Sequence, residues 1–445
     1  MQRDLTSGPI TGNLLKFAFP LMIGNLLQQF YNIADTWIVG KFLGSKALAA
    51  VGSSYTLMVF LTSILLGLCM GSGAAFSICY GKQDFDRLKR SIFLSFTLIL
   101  CVTVLLTIIV FAGLSPIIRL LRVPDEVRPL MQEYLLIIFG GILATFLYNF
   151  FANLLRALGN SAVPLVFLGI SAVLNIALDL LFVLVFGWGV AGAAGATVLA
   201  QYISGVGICL YTLLRFPKFR PDRTHIRIDR ELFHEISGLS FLTCIQQSVM
   251  NFGILMVQGL VNSFGTVVMA AFAAAVKIDS FAYMPVQDFG NAFSTFVAQN
   301  YGAGKTDRIR RGIRSAGLSV LLFCIVISSL VCCFAAPLMT IFIDPSESEI
   351  IAAGVQYLRI EGAFYLGIGI LFMLYGFYRA VNRPGMSVVL TVISLGTRVL
   401  LAYTLSAIPF IGVTGIWASV PIGWALADAA GIFYYCRRQN RLLHG

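Results

Sequence analysis

Nine ionisable residues stand inside stretches that are otherwise apolar: Asp35, Asp179, Lys277, Asp279, Asp288, Arg359, Glu361, Arg398 and Asp428. Burying a charge in such a stretch is costly, so each is a functional candidate by default. The chemistry on offer is that of carboxylates with cations. All three histidines, His225, His234 and His444, fall in polar connecting or terminal segments, which leaves no HExxH metal site and no histidine relay among the apolar segments. The nine cysteines show neither CxxC nor zinc-like spacing and read as small buried hydrophobes. With no catalytic histidine, metal cluster or nucleophile pair in view, the chain is expected to be no enzyme and to need no cofactor.

Two acids stand out by depth. At a rise of 1.5 Å per helical residue, Asp35 counted from Lys16 and Asp179 counted from Ser161 each lie about 27 Å from one face. Asn175 precedes Asp179 by four residues and shares its helical face, and Thr197, early in the next segment, returns to a similar level. Two carboxylates, an amide and a hydroxyl supply hard oxygen ligands for Na⁺, the one metal ion in prospect. They equally form a pair able to hold a proton, because two desolvated carboxylates repel and one accepts a proton readily. A merely structural polar cluster is the competing reading.

The segments that carry these residues follow from composition. The 445 residues are 58% hydrophobic and only 11% charged, with mean hydropathy +0.88, where a soluble domain carries about 25% charged residues. The chain is therefore read as an integral membrane protein. Apolar runs fall at about 14–39, 47–79, 91–118, 130–154, 162–186, 190–214, 236–262, 268–298, 315–342, 350–377, 385–408 and 412–436. Each is far longer than a barrel strand of about ten residues and long enough for a membrane helix of roughly 20, so the expected fold is all-α with twelve transmembrane helices. The first run lacks a cleavage site and is kept as a helix. The formal charge of +11 forms no single basic patch, which argues against nucleic acid. Instead 23 of the 31 Lys and Arg fall on the side of the two termini, including Arg3, and five on the other, Lys41, Lys46, Arg119, Arg122 and Arg128. By the positive-inside rule both termini are cytoplasmic, in a plasma (inner) membrane protein expected to act as a monomer in the lipid bilayer.

The chain also repeats itself. Tyr80-Gly81, Asp86-Arg87 and Lys89-Arg90 recur as Tyr301-Gly302, Asp307-Arg308 and Arg310-Arg311, an offset of 221. Arg156-Ala157, Ile170-Ser171, Gly189-Val190 and Tyr211 recur as Arg379-Ala380, Ile393-Ser394, Gly412-Val413 and Tyr434, an offset of 223. Two six-helix lobes follow, 1–222 and 223–445, joined by a basic linker at about 215–235, and an even number of spans gives both the same orientation. The repeat serves as an internal control. Asn175, Asp179 and Thr197 map onto Arg398, Ala402 and Val420, and no acid stands opposite Asp35. The second lobe has lost every ligand of the first.

Other residues have two readings each. Lys277 with Asp279 and Arg359 with Glu361 suit structural ion pairs, or acids that attract a cationic substrate. Arg398 reads as an internal counter-charge and Asp428 as an interfacial residue. Gln28, Gln246, Gln247, Asn251, Met256, Gln258, Tyr283, Met284, Asp288, Phe289 and Glu361 are candidate cavity liners for varied amphiphiles, or simply helix-packing groups. The two Asp-Arg loops superficially resemble the major-facilitator loop signature, another 6+6 fold, but with the wrong spacing. Their aspartates suit helix capping or folding of the loop. Pro20 breaks the first helix's hydrogen bonding, as a hinge or as a static kink.

Taken in order, Pro20 with Asn32-Ile33-Ala34-Asp35, Asn175-x3-Asp179, Thr197, the paired Tyr-Gly…Asp-Arg loops and Gln299-Asn300-Tyr301-Gly302-Ala303-Gly304 resemble the multidrug and toxic compound extrusion (MATE) family over essentially the whole chain. The resemblance implies a V-shaped, alternating-access pair of lobes that exports amphiphilic, often cationic small molecules in exchange for Na⁺ or H⁺. Within the family the chain looks like the DinF-like branch, which implies a first-lobe cation site at Asp35, Asn175, Asp179 and Thr197 and a bending helix at Pro20. Gln246 and Gln247 stand where the NorM-like branch adds a carboxylate in its seventh helix. The alternatives are a lipid-linked saccharide flippase of the same superfamily, which a basic cavity would mark, and a major-facilitator-type transporter.

Overall fold

The computed structural model describes residues 4–120, 125–227 and 229–443. Arg3, Arg122 and His444 lie outside the described residues. The first half of the chain forms α1 (Ile10–Leu43), α2 (Ser45–Gly81), α3 (Phe85–Leu120), α4 (Arg128–Phe139), α5 (Ile142–Ala157), α6 (Ala162–Asp179) and α7 (Gly189–Arg215). The second half forms α8 (Arg230–Asn262), α9 (Thr266–Gly302), α10 (Thr306–Cys333), the short α11 (Ala335–Met339), α12 (Ser348–Gly362), α13 (Tyr365–Ala380), α14 (Pro384–Ser406) and α15 (Val413–Leu443). No strand occurs among the described residues. Among the described residues ten helical stretches are long and apolar enough to cross a membrane, or twelve if the pairs α4 with α5 and α12 with α13, bent by 43° and 51°, each count as one span. Helices are the form such runs must take, since only they satisfy every backbone group within one segment when water is absent.

The repeat is written in the backbone as well as in the sequence. The breaks fall at Gly140–Gly141 and at Ala363–Phe364, the same position at an offset of 223. Left-handed residues recur in pairs at the helix ends: Gly44 with Gly265, Gln83 with Gly304, Gly159 with Asn382, and Gly189 with Gly412. After α2, the amides of Lys82, Gln83 and Asp84 donate to the carbonyls of Ile78, Tyr80 and Cys79. After α9, those of Ala303, Gly304 and Lys305 donate to Gln299, Tyr301 and Asn300. Both are helix ends closed by a left-handed residue that turns the chain back on the last orphan carbonyls.

Contacts divide the chain into two compact units. One contains Ile23–Cys244, the other Asp4–Met22 with Ile245–Gly445. Each repeat's first helix therefore changes unit along its length, α1 after Met22 and α8 after Cys244. Within the first unit, rings of Phe76, Phe96, Phe146, Phe150 and Phe151 pack at centroid distances of 5.2–6.3 Å. Within the second, buried Trp417 stacks on Phe272 at 5.5 Å and meets Tyr357 edge-on at 5.0 Å.

The connecting segments are anchored by polar contacts. In the first unit, buried His225 lies between Asp222, 2.6 Å from Nδ1, and Asp86, 3.2 Å from Nε2. Hydrogen bonding, first from the Thr224 hydroxyl and then from His225, holds the Asp222 carboxyl down to about 2. A carboxyl lowered in this way keeps its partners throughout neutral pH and loses them only as pH falls toward that value. In the second unit, Leu5 is buried while Arg308 donates to the carbonyls of Leu5, Ser7 and Gly8, and Lys305 to that of Thr6.

Of the two roles the Asp-Arg loop suggested, Asp86 takes the loop-folding one, through His225, and does not cap α3. Asp84 does, its Oδ1 accepting from the Arg87 amide at 2.9 Å, because the loop turns at Gln83 and presents Asp84 at the start of the helix. Asp84→Ala should cost about 1 kcal/mol of stability, read as a lowered melting temperature in detergent, and Asp86→Ala should cost less.

Candidate functional site

Asp35 lies about three-quarters of the way along α1, and Asn175 and Asp179 lie one turn apart at the end of α6. Asp179 is the last α-helical residue before a π-helical turn, Leu180–Val185, in which the Phe186 amide donates back to Leu181. Such wide turns recur at functional positions, because they shift the face a helix presents without ending it. The corresponding stretch of α14 continues as ordinary α-helix past Ala402.

The four residues predicted from depth come together within the first unit. Asp35 and Asp179 face one another closely enough for their carboxylates to interact directly. Asp179 is completely buried and Asn175 is 2% exposed. The Asn175 Nδ2 donates to the Thr197 hydroxyl at 3.1 Å, and that hydroxyl donates in turn to the Ala193 carbonyl at 3.1 Å. This chain of donors fixes the amide with its oxygen turned away, and leaves Thr197 one lone pair to give. Asp35 Oδ1, Asn175 Oδ1 and both Asp179 oxygens are buried with no hydrogen-bond donor among the described residues.

Orphan buried oxygens are expensive, and here every one is an acceptor. What completes such a set is a positive charge. A monovalent cation coordinated by oxygens suits it, as does a proton shared between the carboxylates.

Depth reasoning did not find Tyr31 or Tyr134, both of which lie within the electrostatic reach of Asp35 and Asp179. Tyr31 stands one turn before Asp35 and was open to that inference. Tyr134 had a subtler mark, since an offset of 223 places it opposite Tyr357.

Tyr357 belongs to a second buried cluster, within the other unit. Its hydroxyl donates to Asp279 Oδ2 at 3.5 Å and also reaches Glu361, one turn further along α12. Asp279 and Glu361 are 5% and 2% exposed. The expected partners of these acids do not face them. Lys277 and Arg359 are exposed, and Lys277 lies over the Phe342 ring at 5.8 Å. Residues two apart on a helix point to different sides, so neither Lys277 nor Arg359 can turn to its neighbour. The cation that acts on both acids is Arg398 of α14.

Asp428, expected at an interface, is buried beside Gly367. Among the cavity candidates, Gln246, Asp288 and Phe289 are buried, Gln28, Asn251, Tyr283 and Met284 are half-buried, and Met256 is exposed. Pro20 is inside α1, two residues before that helix changes unit.

Comparison with known proteins agrees with this architecture. The MatE family model matches residues 20–181 and 240–404. The chain is 31% identical over 443 residues to the probable multidrug resistance protein YpnP of Bacillus subtilis (strain 168), covering 97% of this chain and 96% of the relative. It is 26% identical to the probable multidrug resistance protein NorM of Thermotoga maritima, over 92% and 88% of the two chains. A MATE transporter solved in the bent conformation shares the fold with a TM-score of 0.92 at 22% identity, over 98% of this chain and 97% of its own. A MOP superfamily transporter from Pyrococcus furiosus does so at 0.91 and 22%, over 98% of each. The chain belongs to the MatE family, and is a multi-pass membrane transporter of the multidrug and toxic compound extrusion type rather than an enzyme.

Proposed function

We propose that this transporter is an antiporter that exports amphiphilic, chiefly cationic small molecules in exchange for Na⁺ or H⁺ bound at Asp35, Asn175, Asp179 and Thr197. The observation that carries this reading is the set of buried acceptor oxygens without donors, gathered from α1 and α6. The multidrug names of the relatives support the substrate class.

Coupling follows from charge. With both carboxylates bare, the pair repels itself in an apolar setting, and a bound cation or proton relieves that repulsion. In this reading the lobes 1–222 and 223–445 alternate access to carry the substrate across the membrane. Pro20 is the hinge in this scheme. It removes a backbone bond just before α1 changes unit, four turns ahead of Asp35, so occupancy of the site and bending of the helix share one element. The protein acts as a monomer in the plasma membrane, with both termini in the cytoplasm where most basic residues gather.

The test is reconstitution in liposomes with a fluorescent cationic dye, under separately imposed sodium and proton gradients. Dye should leave faster under at least one inward gradient. Dye movement indifferent to both gradients would overturn the antiport reading.

A further inference from the structure

The two buried acid clusters are variations on one plan. Each contains two carboxylates and a tyrosine from the fourth span, Tyr134 in the first half and Tyr357 at the equivalent position in the second. Each also receives the side chain of one further equivalent position on the fifth span. In the first half that residue is Asn175, and in the second it is Arg398. The carboxylates themselves have moved between spans, from α1 and α6 to α9 and α12, yet the charge count of each pair is the same.

What differs is who supplies the positive charge. Among the described residues, no basic side chain acts on the acids of the first cluster. In the second, the Arg398 guanidinium acts on Asp279 and Glu361 together without closing a direct ion pair with either among the described residues. A tethered cation at this position competes with any free one, since a second positive charge must enter against it.

We infer that Arg398 is a built-in counter-cation that takes, in the second half, the place the coupling ion takes in the first, and so keeps the Asp279–Glu361 pair from binding an ion of its own. Arg398 is thus a specificity-determining residue, and it sets the number of ions the chain carries per cycle. The inference rests on the ion site proposed at Asp35 and Asp179, and its test separates the two.

The experiment uses the purified full-length chain in detergent. Radioactive sodium bound per chain and, by potentiometric titration in sodium-free solution, the difference in protons bound per chain between variants are both measured, so that the site is counted whichever of the two ions fills it. The wild-type chain should hold about one ion, and Arg398→Asn, which installs the first-half residue, about two. Arg398→Gln is the longer replacement for use if Asn leaves a gap that prevents folding. Arg398→Lys retains the charge and should keep the wild-type count.

The difference between Arg398→Asn or Arg398→Gln and wild type tests Arg398, whereas the difference between wild type and Asp35→Asn tests the first-half site. An unchanged count in a folded charge-removing variant, or a raised count in Arg398→Lys, would overturn the inference whatever Asp35→Asn does. Unchanged binding in Asp35→Asn would instead overturn the first-half assignment. The double variant Asp35→Asn/Arg398→Asn should regain about one ion, held now by the second-half pair.

Discussion

Asp179→Asn should abolish ion-driven export while leaving the protein inserted at its normal level, and Asp35→Asn should do the same. Asparagine keeps the volume of the side chain, so neither change opens a cavity. It removes the charge and replaces one acceptor by a donor, among oxygens that already lack donors. Loss of one of two anionic ligands at a buried cation site weakens binding by at least about tenfold, since every 1.4 kcal/mol is a factor of ten. Asp179 is the more severe of the two because it is completely buried and both of its oxygens are orphans, whereas Asp35 is half-buried and has one. Dye efflux per reconstituted molecule should fall to that of protein-free liposomes. A second readout separates this role from a structural one. Removing an unpaired buried charge stabilises a fold, so both variants should melt no lower than the wild-type chain in ion-free buffer. A structural polar cluster would melt lower on the same change. Wild-type efflux from both variants would sink the assignment.

The contrast between what could be read in advance and what could not has a physical basis. Long apolar runs admit one solution in a bilayer, so helices and their approximate limits were legible. The duplication was legible too, because loop residues such as Tyr80-Gly81 and Tyr301-Gly302 close helix ends in the same way. Asp35, Asn175, Asp179 and Thr197 could be grouped because depth along a straight helix is arithmetic. Arithmetic fails where helices are not straight. Neither break in the fourth and tenth spans nor the π-turn after Asp179 changes the hydropathy that marked the runs. Partnership across the fold fails for a different reason. Lys277 and Arg359 are near their acids in sequence but on the wrong side of the helix, while Arg398 is far in sequence and acts on both. Likewise Asp84 displaced Asp86 as the cap through a turn that depends on the left-handed conformation of Gln83, a residue with no special preference for it.

The largest loss of stability should come from Gly71→Val. A Cβ at Gly71 would sit 2.5 Å from the Leu239 carbonyl oxygen and 2.6 Å from the Ser240 Cα, and one at Gly67 would sit 2.5 Å from the Cys244 Cα. These neighbours are backbone, which cannot swing aside as a side chain does. Gly67 and Gly71 are four residues apart on α2 and form a small-xxx-small stripe against which α8 lies backbone to backbone. The Ser72 and Ser240 hydroxyls share a hydrogen bond of 2.9 Å across the same contact. Valine must push the helices apart, breaking that bond and losing close contacts along two turns, for a cost of about 3 kcal/mol or more. Gly238 is the matched control, since it lies on α8 near the same contact with open space where its Cβ would stand. Gly238→Ala should leave the fold intact or stabilise it by about 0.5–1 kcal/mol, as removal of a helix-interior glycine does. Melting in detergent and the amount of protein in the membrane measure both. The consequence extends to transport, because residues 239–244 are the last of α8 before that helix changes unit. A loosened contact there frees the start of α8 from the first unit, so any Gly71→Val protein that does insert should export dye more slowly at unchanged ion affinity. Equal melting temperatures for Gly71→Val and Gly238→Ala would show that α2 and α8 are not packed this closely.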